Sequence, residues 1–208
     1  MHEISSPREM INVQQVVRNQ AEQISKWHVQ LILSEEVLPM SLIQENNHWN
    51  YLLWHQEDVA RTIDIEPSAM VLAKRNIDLF NQNRNDCIEK IDEWILEFLN
   101  VKKVNPKGRL HSETPGMMID RLSIMALKIY HMREEAARGD ASPLHRLNCE
   151  KKVALLNEQI KDLATCLAGV LDDLERGELS FKVYRQFKMY NDPDLNPQIY
   201  GKHGKENR

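Results

Sequence analysis

Apolar residues in this chain return every three or four positions and almost never at every second one. Leu156, Ile160, Leu163, Leu167, Val170 and Leu174 form the cleanest such seam. That spacing lines one side of a helix, whereas a half-buried strand needs strict alternation. With only 7 glycines in 208 residues, the chain also lacks the supply of tight turns that an all-β fold consumes. The expected fold class is all-α, an up-and-down bundle of about five long helices plus a short C-terminal helix.

Start and stop signals divide the pattern. "SSPRE" opens a first helix, with Ser6 as cap and Pro7 at its first position, running from Arg8 to Leu33. A second is expected over Ser41 to Ile63, and a third over Pro67 to Asn100, since Pro67 biases Glu66 away from helical geometry. Thr114 and Pro115 open a fourth that ends near Gly139. Ser142 and Pro143 open the fifth, which carries the seam, and a short sixth spans Leu179 to Tyr190. Residues 1–200 read as one helical-bundle domain, and 201–208, "GKHGKENR", as a flexible basic tail.

Bulk properties exclude several functions. A formal net charge of -4 offers no field to recruit nucleic acid. No apolar run approaches the roughly 18 residues of a membrane span. Cys87, Cys149 and Cys166 show no paired spacing and read as reduced thiols, and with no signal core the expected location is cytoplasmic. There is no Gly-rich phosphate loop, nucleophile elbow, HExxH or zinc-finger spacing. The sequence therefore assigns no metal ligands, no cofactor and no catalytic residue.

Chemistry gathers instead on helix faces. In the second helix Leu42, Trp49, Leu52, Leu53, Val59, Ala60 and Ile63 share the side expected to face the core. Asn50, Trp54, Glu57, Asp58 and Arg61 form an opposite column, and a Trp among charges calls for a covered cleft roofed by another helix or by the C-terminal segment. In the third helix Arg84 sits mid-stripe among apolar residues, flanked by Asn81 and Asn85. A buried guanidinium needs a carboxylate or an anionic ligand. Glu57 or Asp58 is the expected partner, ahead of Asp120. In the fourth helix Asp120, Arg121, Lys128 and His131 share a mixed side expected to be wet. The C-terminal "KVYRQFKMYNDP" is expected to pack its rings on the bundle.

Four ordered motifs, "NxxLWHxEDxAR" (Asn50 to Arg61), "NQxRNDxIExID" (Asn81 to Asp92), "ETPGxxIDRLSI" (Glu113 to Ile124) followed by "LKIYHM", and "YRQFKMYNDPxLNP" (Tyr184 to Pro197), resemble a bacterial family of all-helical proteins catalogued as a domain of unknown function. The resemblance implies a context among surface-polysaccharide and lipopolysaccharide genes, and it marks the same residues as the helix faces do.

Three readings stay open. One is a cleft for an anionic or sugar-like ligand, such as a nucleotide sugar or sugar phosphate. Another is a magnesium-dependent all-α nucleotide pyrophosphohydrolase, with Glu57, Asp58, Glu89 and Asp92 as oxygen ligands. The last is a non-catalytic helical partner of a glycosyltransferase, or a homo-oligomer.

Overall fold

The computed structural model describes residues 11–101, 108–187, 192 and 194–197. Within them the chain is all-helical: α1 (Val13–Trp27), α2 (Met40–Ala60), α3 (Pro67–Val101), α4 (Pro115–Ala137) and α5 (Pro143–Glu175). Two short strands, β1 (Arg109–Leu110) and β2 (Leu179–Ser180), pair in parallel.

Caps set the starts as the sequence predicts for the last two helices. Thr114 accepts from the Met117 N–H and Ser142 from the His145 N–H, with proline following each. The first helix departs from expectation. Ser6 and Pro7 lie outside the described residues, and the cap within them is Asn12, whose side chain accepts from the Gln15 N–H. The helix ends at Trp27 rather than Leu33 because side chains take over the following backbone. Trp27 Nε1 donates to the Ile32 carbonyl, and Gln44 both accepts from the Ser34 N–H and donates to its carbonyl. The short sixth helix does not begin at Leu179. That segment pairs with Arg109–Leu110 instead, and its last residues, 188–190, lie outside the described set together with the 201–208 tail.

The helix α4 touches all four others, so it is the axis of the bundle. Its Met118, Ile119, Leu122 and Ile129 share one core cluster with Ile91, Ile95 and Leu99 of α3 and, on α5, with Ile160, Leu163, Leu167 and Leu174 of the seam and Leu171 beside it. The seam read from the sequence is thus the core face of α5. Between Leu122 and Ile129, α4 also carries a smaller cluster that joins Ile24, Ala126 and Leu127, with Tyr51, Trp54 and Tyr130 packed against it.

The "ETPG" motif acquires a mechanical role. Gly116 presents its N–H to Asp92 of α3 at 2.7 Å, and a β-carbon there would lie 2.6 Å from the Ile88 carbonyl oxygen. The start of α4 is docked backbone to backbone on α3, which only glycine permits.

Candidate functional site

The second helix departs in part from the sequence expectation: Leu42 of the expected core face packs against the core, but the outer end of that face does not. Its buried residues are Ile43, Gln44, Asn46, Asn47 and Asn50, whereas Val59 and Ile63 of the expected core face are 44% and 87% exposed. The reason is α4. As the axis of the bundle it offers Asp120 and Ser123, both buried, to whatever helix covers them, and the amides of α2 match them. The side of Asp120 is therefore not wet.

What results is a buried hydrogen-bond chain across three helices. Asn46 and Asn50 both donate to Asp120 Oδ1, at 3.0 and 2.8 Å. Asn50 also donates to Ser123 Oγ at 3.1 Å, and Ser123 in turn donates to Asn47 Oδ1 at 2.7 Å. Asn47 reaches α1 by donating to the Gln20 carbonyl and to Gln23 Oε1. Gln20 closes the chain on α4 by donating to the Ile119 carbonyl. Groups so buried and so paired hold the register of the helices and orient the Asp120 carboxylate.

Arg84 faces that carboxylate. Its Nε lies 3.9 Å from Asp120 Oδ1, is buried, and has no hydrogen-bond partner. The expected partners Glu57 and Asp58 are not the ones it approaches. Glu57 is held by Arg61 one helical turn on, and Asp58 stays exposed. Register explains the difference, since Asp120 sits deep beside Asn50 whereas Glu57 lies two turns further out along α2.

Asn50, Leu53, Trp54, Glu57, Asp58, Arg61 and Arg84 line one cavity with Ile124 and Leu127, about 390 Å³ in volume. The column predicted on α2 is therefore a cleft wall, closed by α3 and α4; among the described residues of the C-terminal segment none lines it. Its Trp54 lies flat against His131, with ring centroids 4.9 Å apart and planes 5° from parallel. His131 thus backs the cleft without lining it.

Other candidates go elsewhere. Arg121 and Lys128 line a separate groove between α4 and α5, and Arg121 pairs with Glu113. Asn85 is buried beside Arg84 and Asn81 half-buried, but neither lines the cavity.

The carboxylates of the magnesium reading are not gathered. Glu89 accepts from Arg185 Nη1 and the Gln186 N–H, both at 2.9 Å, while Asp92 accepts from Gly116. Tyr184 and Phe187 do not pack their rings, Phe187 being 85% exposed, and Tyr190 lies outside the described residues. The C-terminal segment is held by buried Phe181 and by Arg185, which grips Glu89 and Glu93.

Burial pushes the Asp92 carboxyl up to about 6, from an ordinary 3.8, against hydrogen bonds from Thr114 and Gly116 that lower it and a nearby Glu89 that raises it. Between those two pH values the native state keeps a proton that the unfolded chain releases. Asp92 therefore contributes stability that is full below about pH 4 and is lost as pH rises through 6, a swing on the order of 2–3 kcal/mol. In Asp92→Asn the wild-type-minus-variant stability difference should fall by that amount between pH 4 and pH 7 in urea titrations. A difference that stays flat with pH shows that Asp92 is ionised throughout.

Behind Trp54 lies a group that the sequence reading did not assemble. His28 at the end of α1, His55 on α2 and His131 on α4 bring their rings together, with centroids 5.0, 5.2 and 5.5 Å apart. Of the three, only His131 is among the sequence-derived candidates. Burial and then the two neighbouring rings hold His55 below the ordinary histidine range, partly opposed by Asp58 and Glu134.

A family model matches residues 40–183 of this architecture, from the start of α2 to just beyond β2. The chain belongs to the DUF4254 family, proteins of unknown function. No curated protein and no solved structure matches the chain. The matched span holds Asn50, Trp54, Arg84, Asp120 and His131, but not His28.

Proposed function

We propose that this DUF4254 protein binds a small anionic or saccharide ligand, of the sugar-phosphate or nucleotide-sugar class, in the cleft between α2, α3 and α4. The observation that carries the reading is Arg84. Its buried Nε donates to nothing, and its ion pair with Asp120 is open at 3.9 Å. A guanidinium left in that state at a cavity wall is a donor set waiting for oxygen acceptors. Around it stand the parts a saccharide uses: the Trp54 ring for a sugar face, and Glu57 and Asp58 for hydroxyls. The volume of about 390 Å³ suits a ligand the size of a hexose phosphate, with any nucleotide moiety extending past Arg61. The resemblance to proteins encoded among surface-polysaccharide genes supports a role for such a ligand in cell-surface polysaccharide biosynthesis.

The test is a thermal-shift screen of hexose phosphates, nucleotide sugars and inorganic phosphate. A ligand present at 100 times its Kd should stabilise the wild type by about 2.7 kcal/mol. Arg84→Met and Trp54→Ala should each lose most of that shift, the former for phosphorylated ligands above all. If no compound moves the wild-type Tm at millimolar concentration, or if Arg84→Met responds as the wild type does, the reading fails.

A further inference from the structure

The three histidines behind Trp54 come from three different helices, and one ring nitrogen of each lies within 4.8 Å of the other two. The Nε2 atoms of His28, His55 and His131 are all buried and all lack a hydrogen-bond partner. The far nitrogens of two of the rings are engaged. His28 Nδ1 lies 2.7 Å from the Ile24 carbonyl, which can only accept, so that nitrogen carries the proton and Nε2 the lone pair. His131 Nδ1 lies 2.8 Å from Glu134 Oε2, which fixes the neutral ring the same way. The planes are inclined to one another by 68°, 69° and 78°, so the rings meet edge-on and do not stack on one another. Aromatic walls brace them: Tyr130 stacks on His28 at 4.0 Å, Tyr51 meets His55 edge-on at 4.5 Å, and Trp54 covers His131.

Imidazoles oriented by a carbonyl or a carboxylate on one nitrogen, and unpartnered on the other, are the arrangement of metal-binding histidines. Packing alone does not account for it, because the lone pairs on His28 Nε2 and His131 Nε2 and the Nε2 of His55 are all buried and all left without a partner. A tetrahedral zinc–imidazole site needs nitrogens about 3.3 Å apart, so small side-chain rotations from separations within 4.8 Å close it.

We propose that His28, His55 and His131 hold a first-row divalent transition metal, zinc by preference, through their Nε2 atoms, with Glu134 as the group that orients His131. Three neutral imidazoles without a carboxylate ligand suit zinc or its nitrogen-preferring neighbours and not magnesium or calcium. Three protein ligands also leave a fourth position for water or a substrate oxygen. Tyr51 is not the fourth ligand as placed, since its hydroxyl donates to the Trp27 carbonyl.

The full chain, stripped with chelator, is titrated with ZnCl₂ by calorimetry and with CoCl₂ by visible absorption. One equivalent of either metal should bind, and cobalt should show d–d bands of tetrahedral intensity. Substituting Gln at His28, His55 or His131 should weaken binding by about 100-fold or more, and Glu134→Gln by about 10-fold. His145→Gln, on α5 and outside the cluster, should change nothing, and Arg84→Met should leave metal binding intact, which separates this site from the cleft. Circular dichroism checks that each variant folds. A wild type that binds neither metal at micromolar concentration overturns the proposal whatever the variants do, and so does binding of wild-type strength in all three histidine variants.

Discussion

Asp120→Ala is expected to destabilise the fold by about 3–5 kcal/mol, the largest effect of any single polar substitution in the bundle. Asp120 is the acceptor on which Asn46 and Asn50 converge and the nearest anion to Arg84. Removing it leaves two buried amides without their acceptor and a guanidinium, only 23% exposed, without a counter-charge. Asp120→Asn keeps an acceptor oxygen for the α2 amides and loses only the charge, so it should cost less than half as much. Adding Arg84→Met to Asp120→Ala should restore part of the loss, because the double variant no longer buries an unpaired charge. Urea unfolding of the wild type, Asp120→Ala, Arg84→Met and the double variant measures the coupling. A cost under 1 kcal/mol for Asp120→Ala would show that water replaces the carboxylate and that the amide chain does not hold the helices.

Gly116→Ala is expected to rank second. Alanine in place of glycine inside a helix ordinarily gains up to about 1 kcal/mol. Here the new methyl carbon would sit 2.6 Å from the Ile88 carbonyl oxygen and 2.8 Å from Asp92 Oδ1. The first of these is backbone of a packed helix and cannot swing away. The start of α4 must lift off α3, which weakens the Gly116 to Asp92 hydrogen bond as well. The net loss should be about 2–3 kcal/mol, the scale of an overpacked core. As the control, Gly139→Ala, where a β-carbon meets nothing within 4 Å, should be neutral or slightly stabilising. Equal Tm values for Gly116→Ala and the wild type would mean that α3 and α4 are not in close contact at this point.

The α5 seam from Leu156 to Leu174, the caps at Thr114 and Ser142, and the breaks around Pro67 are local properties. Spacing along one helix and hydrogen bonding within one turn decide them, so they were legible in the sequence. The column Asn50, Trp54, Glu57 and Arg61 was legible for the same reason, since 3.6 residues per turn places those groups together wherever the helix goes. Which side of α2 faces inward was not. Apolar counting chose Val59 and Ile63, but burial belongs to the pair of surfaces, and α4 presents Asp120 and Ser123 to the amides. Arg84 could be marked as needing a carboxylate, yet the choice of Asp120 over Glu57 depends on how far α2 and α4 slide past each other. The histidine group lies furthest from sequence reading. His28, His55 and His131 are 27 and 76 positions apart, sit on three helices, and share no spacing that a single helix would reveal. Only the crossing of α1, α2 and α4 brings their free nitrogens to one point.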